Sequence, residues 1–274
     1  MEREKDDTIL NFLFIIFQNF FIFFSSGVPS TWQRPPSTSL INEPVHGRDE
    51  DKKVIIEMLL KDEAGDQSNF GVIPIVGIGG MGKTTLARFI YRDDVIVKRF
   101  EPRVWVCVSD ESDVEKLTKA ILNAVSPDEI RDGDDFNQVQ LKLSKNLGGK
   151  RFLLVLDGVW NIKSYEQWSQ LRAPLKSGER GSKVIVTTRD TNVASLMRAD
   201  NYHHFLSPLS NDDCWSVFVE HALQSKNVDE HPNLKSIGER IVQKCSGSPL
   251  AAKMLGGLLR SKLQVEAWKH VLDI

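Results

Sequence analysis

The chain has 274 residues, 41% apolar and 26% charged, and its 35 Lys+Arg against 37 Asp+Glu leave a formal charge of −2. That length predicts one large domain or two modest ones with ample chain for a core, and the composition excludes collagen-like, coiled-coil and wholly disordered chains. No basic excess is present to displace counterions from phosphates and no base-reading motif is found, so no specific nucleic-acid partner is expected.

In chain order, residues 9–24 are 13 of 16 apolar and hold half of the protein's 14 phenylalanines. The run is shorter than the ~20 residues that span a bilayer. Asn11, Gln18 and Asn19 interrupt it, and residues 2–7 sum to −2 where a secretory signal wants positive charge. Residues 1–28 therefore read either as an unstructured terminus or as a signal or anchor, and membrane association hinges on this stretch. Residues 29–40, rich in Pro, Ser and Thr, read as a linker.

From residue 41, continuous apolar runs at 71–78, 103–108, 151–157 and 183–188, with a weaker one at 204–206, alternate with helical patterns. Continuous runs suit strands covered on both faces of a parallel sheet. Val114, Leu117, Ile121 and Val125 fall on one helical face, as do Phe136, Val139, Leu143 and Leu147. Alternating strand and helix predicts a doubly wound α/β sheet over 41–206.

After residue 206 the strands stop, and 207–274 reads as a small all-helical domain. Ser210 to Asp213 resembles a capping box before a helix that buries Trp215, Phe218, Val219, Ala222 and Leu223. Ser248 and Pro249 read as the N-cap and first residue of another helix, with Leu250, Met254, Leu255 and Leu258 inward. Cys107, Cys214 and Cys245 are odd in number, far apart and without zinc spacing, which favours a reducing compartment. The pair His203 and His204 reads as exposed residues at a strand start rather than a metal site.

The chemistry concentrates after the first run. Gly77-Ile-Gly79-Gly80-Met-Gly82-Lys83-Thr84-Thr85 fits G-x4-G-K-[ST] between a strand and a helix, the context this phosphate-binding loop requires. The glycines let successive N–H groups point into one hollow, and the helix N-terminus adds partial positive charge. Lys83 can bridge β- and γ-phosphates, and the Thr84 hydroxyl can hold Mg²⁺. Asp157 ends the third run, where a carboxylate at the C-terminal edge of a parallel strand faces the ligand crevice and can orient Mg²⁺. Arg189 follows the fourth run. It reads either as a γ-phosphate sensor or as a solvated arginine at a strand end.

With these motifs assembled, the chain from about Ser39 onward resembles the NB-ARC nucleotide-binding domain of plant disease-resistance proteins, the NLR immune receptors of the coiled-coil class. Val45-His-Gly47-Arg48-Asp49 is similar to the family's hydrophobic-Gly-Arg-acid element, which implies that Val45 and Arg48 lie near base and sugar. Residues 100–109, 150–160 and 181–189 resemble its second-strand, Walker B and sensor segments. Cys245 to Ala251 resembles its GLPLA element, whose proline, here Pro249, would pack on the nucleotide. The resemblance implies a P-loop NTPase sheet in which the sensor strand lies between the P-loop and Walker B strands, bringing Arg189 close to Lys83 and Asp157. It further implies an ADP/ATP switch with Mg²⁺, protein partners such as other NLR chains or immune regulators, and a cytoplasmic location.

Three departures qualify that expectation. Gly158 stands where the family usually has a second acid after the Walker B strand. Loss of a positioned base typically costs ~10² to 10⁴ in rate, so binding with little turnover is expected. Ser248 replaces the usual leucine before Pro249, and the winged-helix and repeat parts of the family are expected to be missing. The alternatives are an active P-loop ATPase, in which Lys83, Asp157 and Arg189 are catalytic, and a non-functional fragment or decoy interaction protein.

Overall fold

The computed structural model describes residues 44–61, 69–108, 113–127, 129–131, 133–160, 162–197, 203–223, 231–260 and 262–273. The expectations for residues 1–28 and 29–40 lie outside these residues. The described chain falls into two compact units, one of 44–79 with 83–206, the other of 207–273 with Gly80–Gly82.

The first unit is a five-stranded parallel sheet in the order β2-β3-β4-β1-β5. Its strands are β1 (Phe70–Val76), β2 (Arg103–Cys107), β3 (Leu153–Asp157), β4 (Ser182–Thr188) and β5 (His204–Phe205). The continuous apolar runs behave as expected for two-sided cover: every residue of β3 and β4 is buried. Pro74 has no N–H to donate, and it sits in β1 just before β5 begins to pair, at Ile75 and Val76.

The flanking helices are α1 (Asp49–Leu60), α2 (Lys83–Tyr91), α3 (Asp94–Arg99), α4 (Val114–Val125), α5 (Phe136–Leu147), α6 (Tyr165–Arg172) and α7 (Thr191–Met197). Their starts are written in the sequence. Asp113 accepts from the Lys116 amide at 2.7 Å, and Ser164 accepts from that of Gln167. Asp135 and Gln138 close a full capping box, satisfying two orphan amides of α5. Leu117 and Ile121 of α4 and Val139, Leu143 and Leu147 of α5 enter a core with Val104, Val106, Leu154, Leu156, Val184 and Val186 of the sheet. Phe70 anchors it, its ring 6.2 Å from Phe152 and 6.4 Å from Trp168. Burying such a core provides most of the stabilisation, at roughly 25 cal/mol per Å² of apolar surface.

The second unit is helical in its 207–273 part: α8 (Asn211–Leu223), α9 (Pro232–Lys244), α10 (Pro249–Leu258) and α11 (Val265–Asp273). Ser210 accepts from the Asp213 amide at 3.0 Å and opens α8. Phe218 stacks on Trp215 and meets the edge of Trp268, whose indole N–H donates to the Lys262 carbonyl. Ser248 caps α10 by accepting from the Ala251 amide, with Pro249 in the first turn as expected.

Two local expectations are corrected. Leu250 was placed inward by periodicity but is 40% exposed, because the small Ala251 and Ala252 take the buried positions of that first turn. The histidines are not a freely exposed pair. The His204 Nε2 lies 2.7 Å from Asp51 Oδ1 on α1, and the half-buried His203 meets Ser195 Oγ at 3.0 Å.

Candidate nucleotide site

β1 ends at Val76, the chain turns through the glycine-rich loop, and α2 starts at Lys83. A parallel strand delivers its C-terminal edge to this place, and the first amides of a helix are unsatisfied there, so the local fold favours an anion. Gly79 permits a close approach: a Cβ at that position would stand 3.2 Å from the guanidinium carbon of Arg189. With an alanine there, the guanidinium would have to shift by a few tenths of an ångström.

The Lys83 ammonium donates to the carbonyls of Gly77 at 2.6 Å and Ile78 at 2.8 Å. Two of its three donors thus face its own loop. Burial, then the cation of Arg189, push its pKa down from 10.5 to about 8, against the opposing pull of Asp157. A lysine so poised is cationic at neutral pH yet only weakly hydrated, which suits capture of a polyanion.

Asp157 is the last residue of β3 and 2% exposed. Its Oδ1 accepts from the Thr84 hydroxyl at 2.8 Å and from the Thr187 hydroxyl on β4 at 2.6 Å. Both donors converge on one oxygen, which leaves Oδ2 for a cation or its water. Hydroxyl and carboxylate oxygens are the ligands that Mg²⁺ selects, and it usually takes only one or two from the protein, so Thr84 and Asp157 fit such an ion. Among the described residues, no group of three or more His, Cys, Asp or Glu side chains forms a metal cage of another kind.

The structure therefore brings Gly77, Gly79, Lys83, Thr84, Asp157 and Arg189 together in the α/β unit, with β4 between β1 and β3 as the resemblance implied. Thr85 is exposed on α2. Arg48 is buried at the N-cap of α1, where Nη1 donates to Asp51 Oδ2 at 3.1 Å, and Val45 is half-buried just before it. Gly80, Gly82 and Pro249 fall in the other unit.

Sequence reasoning did not single out Thr187 or the left-handed turn at Gly158, where φ is +83°. The Gly158 N–H donates to the Thr187 hydroxyl at 2.8 Å. A residue with a Cβ is strained there by about 1–2 kcal/mol. Gly158→Asp, which would restore the family's second acid, is accordingly expected to lower unfolding free energy by about that amount. Urea denaturation of the two chains checks it, and an equally stable variant would show that the turn relaxes.

The family model described as NB-ARC domain matches residues 48–228. Disease resistance protein RGA2 of Solanum bulbocastanum is 41% identical over 241 residues, 88% of this chain and 24% of its own. Disease resistance protein RPP13 of Arabidopsis thaliana is 35% identical over 236 residues, 84% of this chain and 27% of its own. The chain thus spans about a quarter of the length of the curated relatives it matches.

Among solved structures, the ADP form of the Aeropyrum pernix ORC2 protein has a TM-score of 0.59 at 15% identity, covering 86% of this chain and 71% of that one. Cdc6p from Pyrobaculum aerophilum gives 0.58 at 13%, covering 81% and 62%. These two share the fold. The extent of the family match and the identity to the disease resistance proteins settle the family: this chain belongs to the NB-ARC family of nucleotide-binding domains.

Proposed function

We propose that the chain is an ADP- or ATP-binding switch module of a plant disease-resistance protein, with Mg²⁺ as cofactor and little hydrolysis. The observation that carries this reading is the convergence of Lys83, Thr84, Asp157 and Arg189 at the C-terminal edge of three neighbouring strands. Lys83 grips the β-phosphate, and the loop amides with the start of α2 neutralise the remaining charge. Thr84 and Asp157 hold Mg²⁺, which supplies charge neutralisation between phosphates. Arg189, lying over Gly79, senses a γ-phosphate. Val45 and Arg48 face base and sugar, and Pro249 packs on the nucleotide; these three roles rest on the family resemblance.

A switch needs ligands with different affinities for two states of the protein, and the charge of one extra phosphate beside Arg189 supplies such a difference. Slow turnover follows from Gly158, which offers no carboxylate to position water. The relatives' names support a role in disease resistance; other receptor chains or immune regulators as protein partners rest on the family resemblance. A reducing, cytoplasmic setting suits three cysteines that are odd in number and far apart.

The test is thermal melting of the full chain with ADP, ATP and GDP in Mg²⁺, paired with phosphate release from ATP. At a hundredfold excess over Kd, ADP is expected to raise Tm by about 5–10 °C. Phosphate release no faster than in Lys83→Ala completes the expected result. Rapid release would favour the ATPase reading, and a Tm indifferent to all three nucleotides would overturn both.

A further inference from the structure

We propose that Thr187 is a positioning residue that sets the orientation of the Asp157 carboxylate towards Mg²⁺, an inference that rests on the Mg²⁺–nucleotide reading above. β3 and β4 pair in parallel with Asp157 opposite Thr187. Both residues are buried, at 2% and 1% exposure, so their mutual hydrogen bond is shielded from water. The direction of the bonds follows from the donors available. The Gly158 N–H can only donate, and it lies 2.8 Å from Thr187 Oγ1. A hydroxyl has one proton, and with its oxygen already accepting from Gly158, that proton points along the 2.6 Å line to Asp157 Oδ1.

The hydroxyl of Thr84 gives its own proton to the same oxygen at 2.8 Å, which keeps the Thr84 lone pairs for a metal. Asp157 is thereby pinned from both sides through Oδ1, and Oδ2 is presented to the cation. A partial rotation of the carboxylate about its last torsion would swing Oδ2 out of the direction in which a cation can reach it. Thr187 prevents this from the strand side. Its hydroxyl is not needed to hold the turn, because the Thr187 carbonyl already accepts from the amides of Gly158 at 3.1 Å and Val159 at 2.8 Å. A valine would fill the same volume and keep both of those backbone bonds. What it lacks is the proton aimed at Asp157.

The experiment measures the Mg²⁺ gain, the ratio of the ADP dissociation constant in EDTA to that in Mg²⁺, by calorimetry on the full chain. Thr187→Val is expected to shrink this gain about tenfold while leaving affinity in EDTA within about twofold, as for loss of a group that orients a metal ligand. Thr187→Ser is expected to keep the gain. Thr187→Ala carries the same expectation as Thr187→Val should the latter not fold, and a failure of both to fold beside a folded Thr187→Ser would assign the hydroxyl to folding and overturn the proposal. An undiminished Mg²⁺ gain in a folded Thr187→Val, or equal losses in Mg²⁺ and EDTA, would overturn it while the nucleotide reading stands. A wild-type chain that binds ADP without any Mg²⁺ gain overturns it as well. Absence of ADP binding to the folded wild-type chain is the separate outcome that fells the nucleotide reading itself.

Discussion

In the Lys83→Ala chain, ADP affinity is expected to fall about a hundredfold, because the one donor that the loop carbonyls leave free makes a charge-assisted hydrogen bond to phosphate, which contributes up to about 3 kcal/mol. The Lys83 nitrogen is already held within 2.8 Å of two loop carbonyls, so little side-chain freedom is lost on binding. Alanine removes that charge together with its two bonds to the loop carbonyls, while the strand and the helix that flank the loop keep their packing. Leu86, Ala87 and Ile90, which bury α2, are untouched, and the substitution also relieves the desolvation that depresses the lysine pKa. Titration calorimetry beside circular dichroism measures both quantities. A folded Lys83→Ala chain that binds ADP like the wild type would remove the lysine from the site.

Raising the pH from 7 to 10 is expected to weaken ADP binding to the wild-type chain by about a hundredfold, with the decline setting in near pH 8. The sign follows from the depressed pKa. Without nucleotide, Lys83 titrates near 8, by burial first and by the neighbouring Arg189 second. Phosphate stabilises the ammonium, so above pH 8 binding requires uptake of a proton and loses about a factor of ten per pH unit. Folding responds in the opposite direction. Between 8 and 10.5 the unfolded chain binds more protons at this group than the folded one, so the Lys83 contribution to stability rises with pH over that window. Weaker binding with an unweakened fold distinguishes the lysine from general alkaline unfolding. Lys83→Arg remains charged throughout and should flatten the profile; a wild-type profile already flat to pH 10 would mean that Lys83 does not gate binding.

Much of the α/β unit was legible because its signals are local. Apolar runs such as 183–188 became strands buried on both faces, and the apolar faces predicted from spacing placed Leu117 and Ile121 of α4 and Val139, Leu143 and Leu147 of α5 in the core. Lys83, Thr84 and Asp157 were legible for the same reason, since each belongs to a short motif at a strand end. Thr187 was not. Its importance lies in the register that sets it opposite Asp157, and register is a property of two strands together. The same holds for His204, whose partner Asp51 is distant in sequence and meets it only because β5 docks beside β1. Gly158 was legible as a missing acid but not as a left-handed residue, because composition does not reveal φ. Leu250 misled by periodicity, which assigns a face without weighing that alanines can fill the tightest positions of a first turn.

Calorimetric titration of ADP into the full 274-residue chain in Mg²⁺ tests the central claim most directly. The account predicts saturable one-site binding that tightens with Mg²⁺ and is lost in Lys83→Ala. A folded wild-type chain that releases no binding heat at any of several temperatures, and whose melting ADP does not shift, would contradict it.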